Sequence, residues 1–222
     1  MRVFLYLFFC LSLISKSQSS KPNIIYILVD DVGWADFNYN VNGNTSIPTP
    51  NIDRLAAQGI KLKSHYVQPT CTPSRASLLT GRYATNTGLN FAMFPGSVVG
   101  LPDDMATMPQ LLRKAGYNAH MVGKWHVGNG QWKQTPVGKG FESHVGSLLW
   151  DLDSYDKSIW RTPTQIIGLD WIEAYENGTY KHEINNKHAT HIITEESIKR
   201  MEEHDKVCWL SRVTDILARN IN

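Results

Sequence analysis

Three cysteines in 222 residues are too few for a scaffold built on disulfides. One-sided charge is missing too. Lys and Arg number 22 against 20 Asp and Glu, a net of +2 with His neutral. That balance argues against nucleic acid or an acidic membrane surface as the main partner. Proline (10) and glycine (16) are sparse, and no repeat or linker-like stretch is visible, which excludes a low-complexity chain. No apolar run approaches the roughly 20 residues that span a bilayer. What remains is an ordinary globular balance, 42% apolar and 19% charged, at a length suited to one domain with a sizeable core.

The longest apolar run is Val3 to Ile14, following Arg2 and preceding the small polar stretch Ser15 to Ser20. This order is that of a secretory signal peptide. Residues 1–20 are expected to be removed, leaving a mature chain from near Lys21 with no membrane span. Two glycosylation sequons, Asn44-Thr45-Ser46 and Asn177-Gly178-Thr179, fit an exported protein. Cys10 lies in the signal. Cys71 and Cys208 remain for a disulfide, unless Cys71 serves another purpose.

Strands and helices alternate along the chain, which predicts an α/β fold with a mostly parallel sheet. Asn23 to Val29 is a continuous apolar run and reads as a strand buried on both faces. Thr49-Pro50 opens a helix carrying Ile52, Leu55 and Ala56 on one face and stopped by Gly59. Lys61 to Val67 reads as a second strand. Thr72-Pro73 starts a short helix, Ser74 to Thr80, ended by Gly81. Thr107 and Gln110 form a capping box for the next helix, which ends at Gly116. Tyr117 to Val122 is a third strand. Asn177-Gly178 predicts a hairpin between Trp171–Glu176 and Thr179–Glu183. Thr194 is the expected cap of a last helix running to about His204.

Three polar clusters follow these predicted strands or open a helix, where α/β sheets bind ligands. Asp30-Asp31 follows the first strand. Adjacent carboxylates repel unless donors or a cation are present, and a hard divalent cation is one solution. A solvated turn or helix cap is the other. Cys71-Thr72-Pro73-Ser74-Arg75 opens a helix, where free N–H groups and the helix dipole favour an anion. Arg75 adds a forked cation suited to sulfate or phosphate. A nucleophile at position 71 would lie beside that anion; a buried structural thiol is the alternative. Lys124-Trp125-His126 follows the third strand. In extended chain its Lys and His share a face, offering a charge clamp and a proton-transfer group. A surface Lys beside a hydrogen-bonded His is the plainer reading.

In this order the clusters resemble the sulfatase family. The segment Cys71-Thr72-Pro73-Ser74-Arg75, continuing to Arg82, matches the family's C-x-P-S-R signature. The NIIYILVDDVGWAD start, the TPNIDRLAAQGI helix and the GKWHVG segment are similar to its other blocks. Gly140-Phe141 and Gly146-Ser147-Leu148-Leu149 point toward the arylsulfatase B-like branch. The resemblance covers about residues 21–205.

The resemblance implies an alkaline-phosphatase-like α/β sandwich with a largely parallel central sheet, incomplete at its C-terminal end. It implies that a formylglycine-generating enzyme oxidises Cys71 to Cα-formylglycine in the endoplasmic reticulum. One hydroxyl of the hydrated aldehyde would attack the sulfur of a sulfate ester, and the second would then expel sulfate. Asp30, Asp31 and residue 71 would bind Ca²⁺. Arg75 would hold the diol, and Lys124 and His126 would contact diol and sulfate. The expected substrate is a sulfated small molecule or glycan, and the expected location is lysosomal or extracellular. A second active-site His, an Asp-Asn pair and a sulfate-binding Lys belong to the family pattern and have no clear counterpart here. Residues 21–205 therefore read as the N-terminal catalytic part and 206–222 as a short divergent tail, with little or no activity expected of this chain alone. The alternative is a non-catalytic secreted protein that binds sulfated glycans. A phosphatase on the same fold is disfavoured, since those enzymes carry Ser or Thr where Cys71 stands.

Overall fold

The computed structural model describes residues 21–43, 47–149, 155–161, 165–181, 187–203 and 207–211. The expected signal peptide and the Asn44 sequon lie outside these. Strands are β1 (Ile24–Ile27), β2 (Asn118–Val122), β3 (Ser143–Gly146), β4 (Ser158–Arg161), β5 (Gln165–Leu169), β6 (Ile172–Tyr175), β7 (Tyr180–Lys181) and β8 (Val207–Ser211). The helices that matter for the site are α1 (Pro50–Gln58), α2 (Cys71–Thr80), α3 (Met108–Lys114) and α4 (Ala189–Glu203).

One sheet has the order β1-β8-β2-β3-β6-β7, and β4 and β5 form a separate antiparallel pair. β1, β8, β2 and β3 run parallel, while β6 and β7 add antiparallel strands at one edge. β2 is covered on both faces. Ala119 and Met121 join Ala76 and Leu79 of α2, Trp125 and Phe141 in one core. Val122 joins Val145, Trp171 and Ala189 in a second, against Ile192 and Ile193 of α4. Helices on both faces of a parallel sheet are the layer arrangement that alternating strands and helices demand.

Several local expectations hold. α1 ends at Gly59, and the Thr107 amide donates to Gln110 Oε1 at 3.0 Å in the capping box of α3. The hairpin turns at Asn177-Gly178, with Gly178 at φ 82° and the Thr179 amide donating to Asn177 Oδ1 at 2.9 Å.

Others are corrected. β1 alternates rather than burying both faces: Ile25 is 52% and Ile27 54% exposed. It is an edge strand, paired through β8 alone among the described strands. Residues 61–67 form no strand, and Leu62, Tyr66 and Val67 are exposed. A β-prone composition cannot make a strand without a neighbouring ladder. α2 starts three residues earlier than expected, with Thr70 as its cap and Cys71 as its first residue. α4 starts at Ala189, and Thr194 lies inside it, its hydroxyl donating to the Thr190 carbonyl at 2.8 Å. Residues 207–211, which the sequence reading sets apart as tail, form the strand between β1 and β2.

No helix among the described residues is long and apolar enough to cross a membrane.

Candidate functional site

β1 and β2 run parallel, so their carboxyl ends lie at one edge of the sheet, and α2 begins beside them. Asp30 follows β1, residues 124–126 follow β2, and Cys71 and Arg75 occupy the first turns of α2. Trp125 anchors the middle of the second segment. It is 1% exposed, meets Phe141 edge-on at 6.2 Å, and its indole N–H lies 2.9 Å from the Gly128 carbonyl and 2.8 Å from that of Gln134. Burying such a ring contributes several kcal/mol in free energy, on the order of 2–3. The two polar neighbours of Trp125 are thereby fixed in place.

Two linked arrangements result. In the first, Asp30 Oδ2 accepts from Lys124 Nζ at 2.9 Å and from Arg75 Nη2 at 3.1 Å. Arg75 Nη1 also donates to the Lys124 carbonyl at 2.7 Å. In the second, Cys71 Sγ lies 3.0 Å from His126 Nδ1, and His126 Nε2 lies 2.9 Å from the Met93 carbonyl. A carbonyl only accepts, so Nε2 carries the proton. In the neutral ring Nδ1 then offers its lone pair to the thiol. Thr72 ties the pieces together: its hydroxyl donates to the His126 carbonyl at 2.9 Å and accepts the Met93 amide at 3.1 Å. His126 sits at φ 60°, a left-handed conformation in which His is enriched. It is not extended, so the alternation argument for residues 124 and 126 fails in its premise. Both side chains are nonetheless buried in the site.

Five of the six residues singled out from the sequence thus meet: Asp30, Cys71, Arg75, Lys124 and His126. Asp31 does not join this network; it is exposed, at φ 57°. Among the described residues no group of three or more His, Cys, Asp or Glu could hold a metal ion. Asp30 and Asp31 are the right donor type for Ca²⁺, but two carboxylates fall short of the usual 6–8 oxygens. The described donor set is therefore incomplete for such an ion.

Sequence reading missed Asp170, just before β6. It is 6% exposed and accepts the amides of Leu148 at 2.9 Å and Leu149 at 2.8 Å. Burial pushes its carboxyl up to about 7, against the pull of those two amides and of the Lys124 charge. His144 of β3 is fully buried, and its Nε2 donates to the Gly123 carbonyl at 3.0 Å. Burial pushes it down to about 4.

These two groups act oppositely on stability. An unfolded His takes a proton near pH 6.5 and folded His144 only near 4, so His144 costs stability as the pH falls through that window. Asp170 titrates at 3.8 when unfolded and near 7 when folded, so its contribution is greatest in acid and is lost as the pH rises toward 7. His144→Gln should therefore gain stability relative to the parent on acidification through this window. Urea midpoints at its two ends test this, and parallel pH dependences would reject it.

A helix start presenting Cys71 and a buried Arg–Asp–Lys cluster, at the carboxyl edge of a parallel sheet, defines an α/β protein with its polar cluster where such sheets bind ligands. The sulfatase family profile matches residues 22–206, and the chain belongs to the sulfatase family. It is similar to arylsulfatase J of Mus musculus, 40% identical over 182 residues, which cover 79% of this chain and 30% of that protein. It is also similar to N-acetylgalactosamine-6-sulfatase of Homo sapiens, 37% identical over 205 residues, covering 86% of this chain and 38% of that one. Among solved structures, the PsFucS1 sulfatase from Pseudoalteromonas sp. matches at a TM-score of 0.73 and 28% identity, over 95% of this chain and 47% of that one. The chain spans between 30% and 38% of the length of these two curated relatives. Its fold is the alkaline-phosphatase-like α/β architecture of sulfatases, with the largely parallel sheet that the resemblance implied.

Proposed function

We propose that this chain carries the nucleophile-bearing part of a sulfuric ester hydrolase, with Cys71 as the residue converted to formylglycine by the generating enzyme. The observation that carries this reading is the position of Cys71. It is the first residue of α2, 3.0 Å from a His126 whose tautomer is set by the Met93 carbonyl. Converted residue 71 would supply an oxygen nucleophile in place of the thiol. His126 Nδ1 then faces that oxygen with a lone pair able to hold its proton. Arg75 and Lys124 fix the cationic side of the site, and the start of α2 adds the positive end of a helix dipole.

Arg75 and Lys124 contribute +2 and Asp30 contributes −1, so the network they form carries a net +1 that favours an anionic ester. Asp30, Asp31 and residue 71 would offer Ca²⁺ the oxygen donors it prefers, but fewer than the roughly 6–8 it usually takes, so these residues alone do not complete a Ca²⁺ site. The names of the relatives, an arylsulfatase and an N-acetylgalactosamine-6-sulfatase, support a sulfated small molecule or sulfated glycan as substrate. The signal-like start and the sequons support a protein of the secretory pathway, lysosomal or extracellular.

The test is a peptide mass map of the protein secreted from its own cells, joined to an aryl sulfate assay. An aldehyde at position 71, with turnover lost by at least about 10³-fold in Cys71→Ala, is the expected result. An unmodified thiol with no turnover overturns the catalytic reading. Retained affinity for a sulfated glycan in that case establishes the non-catalytic binder instead.

A further inference from the structure

We propose that Asp170 is a positioning residue for the site, holding His126 in place through the backbone of residues 147–149. The proposal rests on the site reading above for its importance, but not for its geometry. The relay is short. Asp170 Oδ1 accepts the Leu148 amide at 2.9 Å and Oδ2 the Leu149 amide at 2.8 Å. The same segment turns its carbonyls the other way. Ser147 O accepts the Trp125 amide at 2.9 Å, and Leu148 O accepts the His126 amide at 3.1 Å. One peptide unit therefore separates the Asp170 carboxylate from the backbone of His126.

The arrangement needs a carboxylate rather than any polar group. Two N–H donors converge on two oxygens, and an amide side chain would present an NH₂ to one of them. Asp170 is itself held from behind, since its amide donates to the Lys157 carbonyl at 3.0 Å. Burial pushes this carboxyl up to about 7, and the two amides and the Lys124 charge pull the other way. His126 needs such support. Its left-handed φ of 60° is sparsely populated and persists only where surrounding bonds determine it. The Leu148 carbonyl and the Thr72 hydroxyl are two such bonds, and Asp170 governs the first.

The test uses the full chain with Cys71 as the thiol, so it does not depend on turnover. Asp170→Asn is compared with Tyr175→Phe, a variant that removes the Tyr175–Arg200 hydrogen bond and none of the bonds of the relay. Two signals report on His126. One is its imidazole ¹⁵N spectrum, which in the parent is expected to report the Nε2-protonated form set by the Met93 carbonyl. The other is the rate of Cys71 alkylation by iodoacetamide, which senses the imidazole beside the sulfur. In Asp170→Asn the ¹⁵N signals are expected to shift toward a mixture of tautomers, with an alkylation rate moved several-fold toward that of His126→Ala. Tyr175→Phe should keep the parent values. A folded Asp170→Asn with parental ¹⁵N signals and rate overturns the proposal, whatever the sulfatase assay shows. If Asp170→Asn does not fold, amide exchange in the parent decides. The amides of His126, Leu148 and Leu149 should open together at one rate. Independent opening of His126 overturns the proposal.

Discussion

Asp30→Ala is expected to lower the unfolding free energy by about 3–5 kcal/mol, the usual cost of removing one partner from a buried ionic cluster. The Arg75 and Lys124 side chains are 5% and 6% exposed, and both donate to the same oxygen of Asp30. Without that oxygen, two largely buried cations are left close together with their shared counter-charge gone. Their repulsion adds to the lost attraction, so the cost exceeds that of a surface pair, which is about 0–1 kcal/mol. Asp30→Asn should cost less, because an amide oxygen still accepts from one cation while the neutralising charge is gone. The two variants separate hydrogen bonding from charge. Urea denaturation with an unchanged m-value gives both numbers. A loss under about 0.5 kcal/mol for Asp30→Ala would show that Arg75 and Lys124 find other partners, and would remove Asp30 as the organiser of the cluster.

That cluster was legible in the sequence because its members sit at strand ends and a helix start, where local signals are strong. The apolar run before Asp30, the Thr72-Pro73 pair after Cys71 and the glycine before Lys124 each mark an element boundary, the second about three residues late. In a parallel sheet such boundaries converge on one edge. The segment 61–67 shows the limit of this reasoning. Its apolar residues suit a strand, but pairing depends on a neighbour that composition does not announce. Residues 207–211 are the converse case, a short run with no turn signals of its own that finds its place between β1 and β2. Asp170 was invisible for a further reason. Its role depends on backbone amides more than 20 positions away, at Leu148 and Leu149, and a lone Asp in a stretch of aromatics carries no spacing pattern. The start of α4 was misplaced because Thr194 resembles a cap in sequence, while in the helix its hydroxyl turns back to a carbonyl one turn earlier.

Gly146→Ala should be severely damaging, although it adds a single methyl group. A Cβ at Gly146 would overlap the carbonyl oxygen of Gly123 and lie 2.7 Å from both its nitrogen and its carbonyl carbon. All three are backbone atoms and cannot swing aside as a side chain would. The crowding has a structural cause. The Gly123 amide donates to the Val145 carbonyl at 2.8 Å, so the end of β2 presses directly on the end of β3. Gly146 is also at φ 147°, a backbone conformation that L side chains rarely adopt. Gly168 provides the matched control. Its φ is 152°, yet an added Cβ there meets nothing within 4 Å. Gly168→Ala should therefore show only the conformational cost, about 1–3 kcal/mol. Gly146→Ala should show that cost plus overpacking, a further 1–3 kcal/mol or so. Against a typical total of about 5–15 kcal/mol, the sum is enough to leave much of the chain unfolded at physiological temperature. Whatever folds would carry a displaced Gly123, and with it a displaced start to the segment holding Lys124 and His126. Equal losses in the two variants, read from denaturation midpoints, would show that β2 and β3 can separate at this point. The close approach would then not be what aims that segment into the site.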